Sequence, residues 1–277
     1  MDVVQILMAA GLGGIFGAVG GCIGHVIGHF LPKQFQQAIL VICVVIAVVI
    51  CVVIAVVLSQ QAKSNFFGTS LEQQLSDGLR EEPYMQLLAE NFPEEFDALV
   101  TRVAKKPDAK YAEEQAFELT SSLRRENSHH VWTASTEKID AYLNISLDLY
   151  RGLRERHGDS VCSTFLYAGP NGARQILDEE LAGITALALA LFEAVLDGRD
   201  NIQTDRTLAT EEDFNTLFET WLAADGTQAM VQSIVNPTEG DDALCGAWIS
   251  MTEQLLSMQL PLADRLKTHL VYNAAIG

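Results

Sequence analysis

Residues 38–58 read AILVICVVIAVVICVVIAVVL, an unbroken apolar run, and the conformation of this run decides the fold. Its many Val and Ile residues favour a strand in water. In lipid an isolated strand leaves its N–H and C=O groups unpaired, whereas a helix satisfies them within the segment. About 20 apolar residues span a hydrocarbon core of about 30 Å as a helix, which is the length of this run. The run is therefore expected to be a transmembrane helix over about 37–58.

The preceding stretch, 3–31, carries no Lys, Arg, Asp or Glu and is also long enough to span. A cleaved signal peptide would have a basic start, and Asp2 stands there instead. Between the two runs, Pro32, Lys33 and Gln34 form a short polar turn that makes the spans antiparallel neighbours. Residues 1–63 are thus expected as a two-helix membrane hairpin within the bilayer.

Small residues recur along both spans. Gly13, Gly17 and Gly21 repeat every four positions, as do Gly20, Gly24 and Gly28, so one helix carries two adjoining glycine stripes. The second span contains a duplication, VICVVIAV at 41–48 and again at 49–56, which sets Cys43, Ala47, Cys51 and Ala55 on one face. Stripes of this kind let helix backbones approach closely in lipid. The expectation is a hairpin packed on itself, with a spare stripe able to pair with another copy as a homo-oligomer. Cys22, His25 and His29 share one face near the end of the first span. They are a chemically reasonable transition-metal set, but a fourth ligand is lacking and polar anchoring at the interface accounts for them, so no metal is expected.

Beyond residue 61 the composition changes. The chain carries 18 Lys and Arg against 36 Asp and Glu, a formal net charge of −18, and almost all of that charge lies here. Nucleic-acid binding and docking on anionic lipid both require basic surface, so this balance argues against them. A basic protein partner fits it.

The hydrophobic pattern of 64–277 is helical almost throughout, without the sustained alternation of strands, and predicts an acidic, all-α, multi-helix domain, with 127–134 as the place where it could subdivide. Ser70 with Gln73 opens a helix, Pro83 and Pro93 occupy first turns, and Asp108 opens a helix to about residue 125. A long amphipathic helix spans about 135–157, burying Ile139, Tyr142, Leu143, Ile145, Leu149, Tyr150 and Leu153, and Gly158 stops it. Gly169-Pro170-Asn171-Gly172 is a turn. The uncharged stretch 181–192 is expected as a central core helix, being too short for a third span. Thr210 with Asp213 opens the helix carrying Trp221, and helices over about 241–258 and 261–275 close the chain. The polar stretch 198–209 is expected as the longest, mobile loop.

Chemistry-bearing motifs are few. The sequence has no GxSxG, HExxH, CxxC, Walker A or dinucleotide-binding glycine pattern, and no cofactor is implied. His157, Asp159, Ser160, Cys162 and Ser163 crowd one helix end, but adjacency in sequence does not give the geometry of a nucleophile and its base. The acidic groups at 178–180, 211–213 and 239–242 precede or open helices, where the macrodipole favours them. Asp197, Asp200, Asn201 and Asp205 lack calcium-loop spacing. The pattern thus leans away from an enzyme.

The stretch with Tyr142-Leu143, Leu149-Tyr150-Arg151-Gly152-Leu153 and Cys162-Ser163-Thr164-Phe165-Leu166-Tyr167, followed by Leu244-Cys245 and a final helix at 266–272, resembles helical proteins of Gram-negative bacteria of uncharacterised role. The resemblance covers about the last half of the chain and implies no activity.

The side of the membrane is weighed from flanks and cysteines. Lys33 marks the turn, and after the second span only Lys63 precedes Arg80, a thinner basic flank than cytoplasmic domains carry. Cys162 and Cys245 can pair in an oxidising space, or remain two buried thiols. Both considerations favour a bacterial inner-membrane protein with a periplasmic domain. The function expected is non-catalytic protein binding from a membrane anchor, as an envelope assembly factor or a toxin-immunity inhibitor. A glycine-zipper oligomer or pore regulated by the domain is the alternative.

Overall fold

The computed structural model describes residues 70–168, 176–201, 206–259 and 261–276, all of which belong to one compact unit. The expected membrane hairpin, its glycine and cysteine stripes and the 169–172 turn lie outside the described residues. Those described form α-helices and one 3-10 helix, with no strand among them. The helices are α1 Leu71–Arg80, α2 Pro83–Asn91, α3 Pro93–Lys105, α4 Ala109–Asn127, the 3-10 helix η1 Ser128–Thr133, α5 Thr136–Ala168, α6 Leu177–Asp200, α7 Glu211–Ala224, α8 Gln228–Val235, α9 Ala243–Ser257 and α10 Leu262–Ile276.

Local signals place most of these starts. The Ser70 hydroxyl accepts from the Gln73 N–H at 3.2 Å, and the Asp108 carboxylate accepts from the Tyr111 N–H at 2.8 Å. Each satisfies an N–H that the first helical turn leaves without a partner. Pro83 and Pro93 occupy first-turn positions, where the missing N–H costs nothing. Thr210 and Asp213 cap each other's backbone reciprocally at the start of α7.

Five elements form the centre. Helix α5 packs against α9 and α6, and η1 lies between α6 and α10. Helix α6 is apolar nearly all round, and Ile184, Ala188, Leu191, Phe192, Ala194 and Val195 are buried. By length and composition its 22 residues Glu179–Asp200 would cross a membrane, yet 56% of the apolar window is buried inside the domain. A core helix enclosed by neighbours has the same composition as a span, since both exclude water on all sides. Tyr84 and Phe92 meet Phe192 edge-on at centroid distances of 5.4 and 6.5 Å, joining α2 to α6.

Three places differ from the sequence reading. Residues 127–134, expected as a connection, form η1, and Val131 and Ala134 within and after it are wholly buried. The stretch 198–209, expected as loop, begins helical. Helix α6 continues to Asp200 because Gly198, lacking a Cβ, lets its backbone lie against the His130 carbonyl. Thr133 Oγ1 donates to the Gly198 carbonyl at 2.7 Å and locks this approach. Residues 228–235, unassigned from sequence, form α8, which Thr227 caps by accepting from the Met230 N–H at 3.2 Å.

Gly158 is a stop within a continuous helical run. Its φ of +85° and ψ of 170° break α5 and redirect the segment that carries Cys162. That backbone conformation strains any residue with a Cβ.

Candidate functional site

The redirected end of α5 brings Cys162 to α9. Cys162 and Cys245 form a disulfide with their Cα atoms 5.6 Å apart, both residues fully buried. The separation lies within the range that a disulfide spans. Beside it the Ser163 hydroxyl donates to the Asp242 carbonyl at 3.2 Å and accepts from the Cys245 N–H at 3.0 Å, tying the same two elements.

The neighbouring polar residues go elsewhere. Glu180, with its side chain only 3% exposed, receives a bidentate fork from Arg156 at 2.7 and 2.6 Å and faces His157 Nε2 at 3.0 Å. The Arg156 hydrogen bonds hold the Glu180 carboxyl below the usual carboxylate range against the opposing effect of burial. Asp159 pairs with Arg154 at 2.5 Å, and Ser160 is exposed. The crowded run 157–163 is thus distributed over different partners. It does not assemble a nucleophile and base, since His157 turns to a carboxylate and Cys162 to another sulfur.

A second charged cluster closes the opposite part of the sequence. Arg206, 3% exposed, places Nε 2.5 Å from one Asp264 oxygen and Nη2 3.1 Å from the other. Its remaining donors reach the carbonyls of Trp132 and Ala134 and the Thr136 hydroxyl. Thr136 in turn donates to Asp264 at 2.9 Å. Burial would raise the Asp264 carboxyl, but the hydrogen bonds from Arg206 and Thr136 outweigh it and hold it low. The next residue, Arg265, grips Asp213 with two donors, and Asp213 also accepts from the Thr210 N–H at 2.8 Å. These bonds, led by that from Arg265, lower the Asp213 pKa to about 2. Lys267 lies 3.0 Å from Asp140 in the same region.

Sequence reasoning assigned the acids at 178–180 and 211–213 to helix N-termini, and Glu180 and Asp213 do sit in first turns. It missed that both are buried and gripped by arginines. Arg206 was missed altogether. Its signal is that it and Arg265 flank 207–264, a stretch without any Lys or Arg of its own.

Chemically, these carboxylates are held ionised by guanidinium forks, which suits positioning and does not suit proton transfer near neutrality. Among the described residues no group of three His, Cys, Asp or Glu is arranged to hold a metal ion. Cys22, His25 and His29 lie outside those residues. Comparisons with protein-family models, with curated proteins and with solved structures find no match to this chain.

Proposed function

We propose that this protein is a membrane-anchored, non-catalytic helical domain that binds another protein, in the manner of an envelope assembly factor or an immunity-type inhibitor. The observation that carries this reading is the division of its charge. The buried Glu180 and Asp213 and the half-buried Asp264 are each held by arginine inside the fold, while a large remainder of Asp and Glu faces solvent. Such a surface recognises a basic partner by complementary potential. The uncharged runs 3–31 and 38–58 support the anchor. The paired cysteines and the thin basic flank support an inner-membrane protein whose domain is periplasmic.

The test uses the full chain, tagged and cross-linked in native membranes before solubilisation. A protein partner that is lost as salt rises is the expected result. A reporter at residue 70 on the cytoplasmic side would overturn the compartment.

The glycine stripes Gly13, Gly17, Gly21 and Gly20, Gly24, Gly28 favour a second reading, a zipper oligomer or pore that the domain regulates. It requires that Gly17→Leu or Gly21→Leu dissociate oligomers and abolish function while the domain stays folded. That result, with no partner cross-linked, would replace the first reading.

A further inference from the structure

Between Thr207 and Asp264 the chain carries ten Asp or Glu residues and no Lys, Arg or His. Asp213, Asp264 and Glu253 are paired with arginines outside the stretch. On α7 and the turns after α7 and α8, Glu211, Glu212, Glu219, Asp225 and Glu239 are exposed and form no ion pair among the described residues. An independent feature falls on the same stretch. The exposed large hydrophobic side chains of the described residues are Leu208 at 60%, Val235 at 46% and Leu222 at 37%, and all three lie here. Along α7, Glu212, Asn215, Glu219 and Leu222 follow at offsets of three and four, so acid and leucine share one outward stripe.

The surface is also preformed. Trp221 on the inner side of α7 is buried and donates from Nε1 to Ser250 on α9 at 2.8 Å. Helices α7 and α8 both pack on α9. A rigid face loses little entropy when it binds.

We infer that the outer face of α7 and α8 is the docking surface, and that its occupant is a basic, amphipathic segment of a partner protein whose apolar side chains meet Leu222 and Val235. This rests on the protein-binding reading above and names where the partner sits. The occupant follows from the charge. A second copy would present the same uncompensated acids to itself and be repelled, as would a phosphate-bearing surface. A basic segment supplies the missing countercharge, and the exposed leucine and valine give it apolar anchors.

The experiment titrates the full chain in detergent with a labelled helical peptide of about five turns built from Lys and Leu, against the same peptide with Ser for Leu. Glu212→Lys with Glu219→Lys is compared with a control of equal charge on α3, Glu94→Lys with Glu95→Lys, both residues exposed. The α7 pair is expected to weaken binding roughly tenfold or more and the control less than about twofold, and Leu222→Ser to weaken it roughly fivefold. Glu212→Gln with Glu219→Gln, which adds no positive charge, repeats the first comparison with less risk to folding. Equal loss in the α7 and α3 variants, or a serine peptide that binds as well as the leucine one, would overturn the inference. A native partner that cross-links normally to the α7 variants would overturn this face and leave protein binding standing. Absence of any cross-linked partner bears on that broader reading instead.

Discussion

Gly198 shows how one missing carbon sets the position of an element. A Cβ built there would penetrate the His130 carbonyl and crowd the Ala134 backbone nitrogen. Neither is the far end of a flexible side chain, so the helix or η1 must move. Gly198→Ala is expected to cost about 2–3 kcal/mol, read as a lower denaturant midpoint at unchanged slope, although alanine ordinarily strengthens a helix. Asp213 makes a second residue-level prediction. Its pKa falls from 3.8 to about 2 on folding, so the stability it contributes is fully present above about 4 and is lost as pH drops through about 2. The melting temperature should fall across that window, and Asp213→Asn should flatten this part of the profile while losing about 2 kcal/mol at neutral pH. Some of these residues are legible in sequence and others are not, for a plain reason. Ser70, Asp108 and Thr210 bond to groups three positions away. Arg206 bonds to Ala134 across 72 positions and Gly198 to Thr133 across 65, which no local pattern encodes.

At the scale of elements, the helical periodicity and the caps placed the starts of α1 to α5, α7, α9 and α10 within a residue or two, since each has an acid, hydroxyl or proline at its start, whereas α5 resumes beyond the Gly158 break and runs on to Ala168. Helix α8 was overlooked because it has only eight residues, no acid in its first turn and no charge to reveal its outer face. It is held by the Thr227 cap and by the buried Val231 and Ile234 against α9. Thr227→Ala should remove about 1 kcal/mol. Because α8 is short, that loss is expected as local opening, with faster amide exchange over residues 228–235 and little change in α5 or α6. Of the candidate site, the cysteine pair was named from sequence with buried thiols as the alternative. The two arginine clusters were not, because their partners meet only once α5, α6, α7 and α10 are packed.

For the whole molecule, the charge is mixed from Lys63 to Arg206 and wholly acidic from Thr207 to Asp264, and two of the links that fasten these parts matter for its mechanics. The Arg206–Asp264 grip is one, and the Cys162–Cys245 bridge, 83 residues apart, is the other. By the chain-entropy account a closed loop of that size stabilises the fold by about 4 kcal/mol, so Cys162→Ala with Cys245→Ala should lower the thermal midpoint by several degrees or more. The two closures overlap along the chain, since 206 lies inside the span 162–245 and 264 lies outside it. Under tension this becomes a limit on extension. A domain tethered by its N-terminal side and pulled at its C-terminus can release α10, but everything between the bridged cysteines is short-circuited by a 5.6 Å step. In an optical trap the oxidised molecule should reach a contour shorter by roughly 280 Å than the reduced one, at about 3.4 Å for each withheld residue.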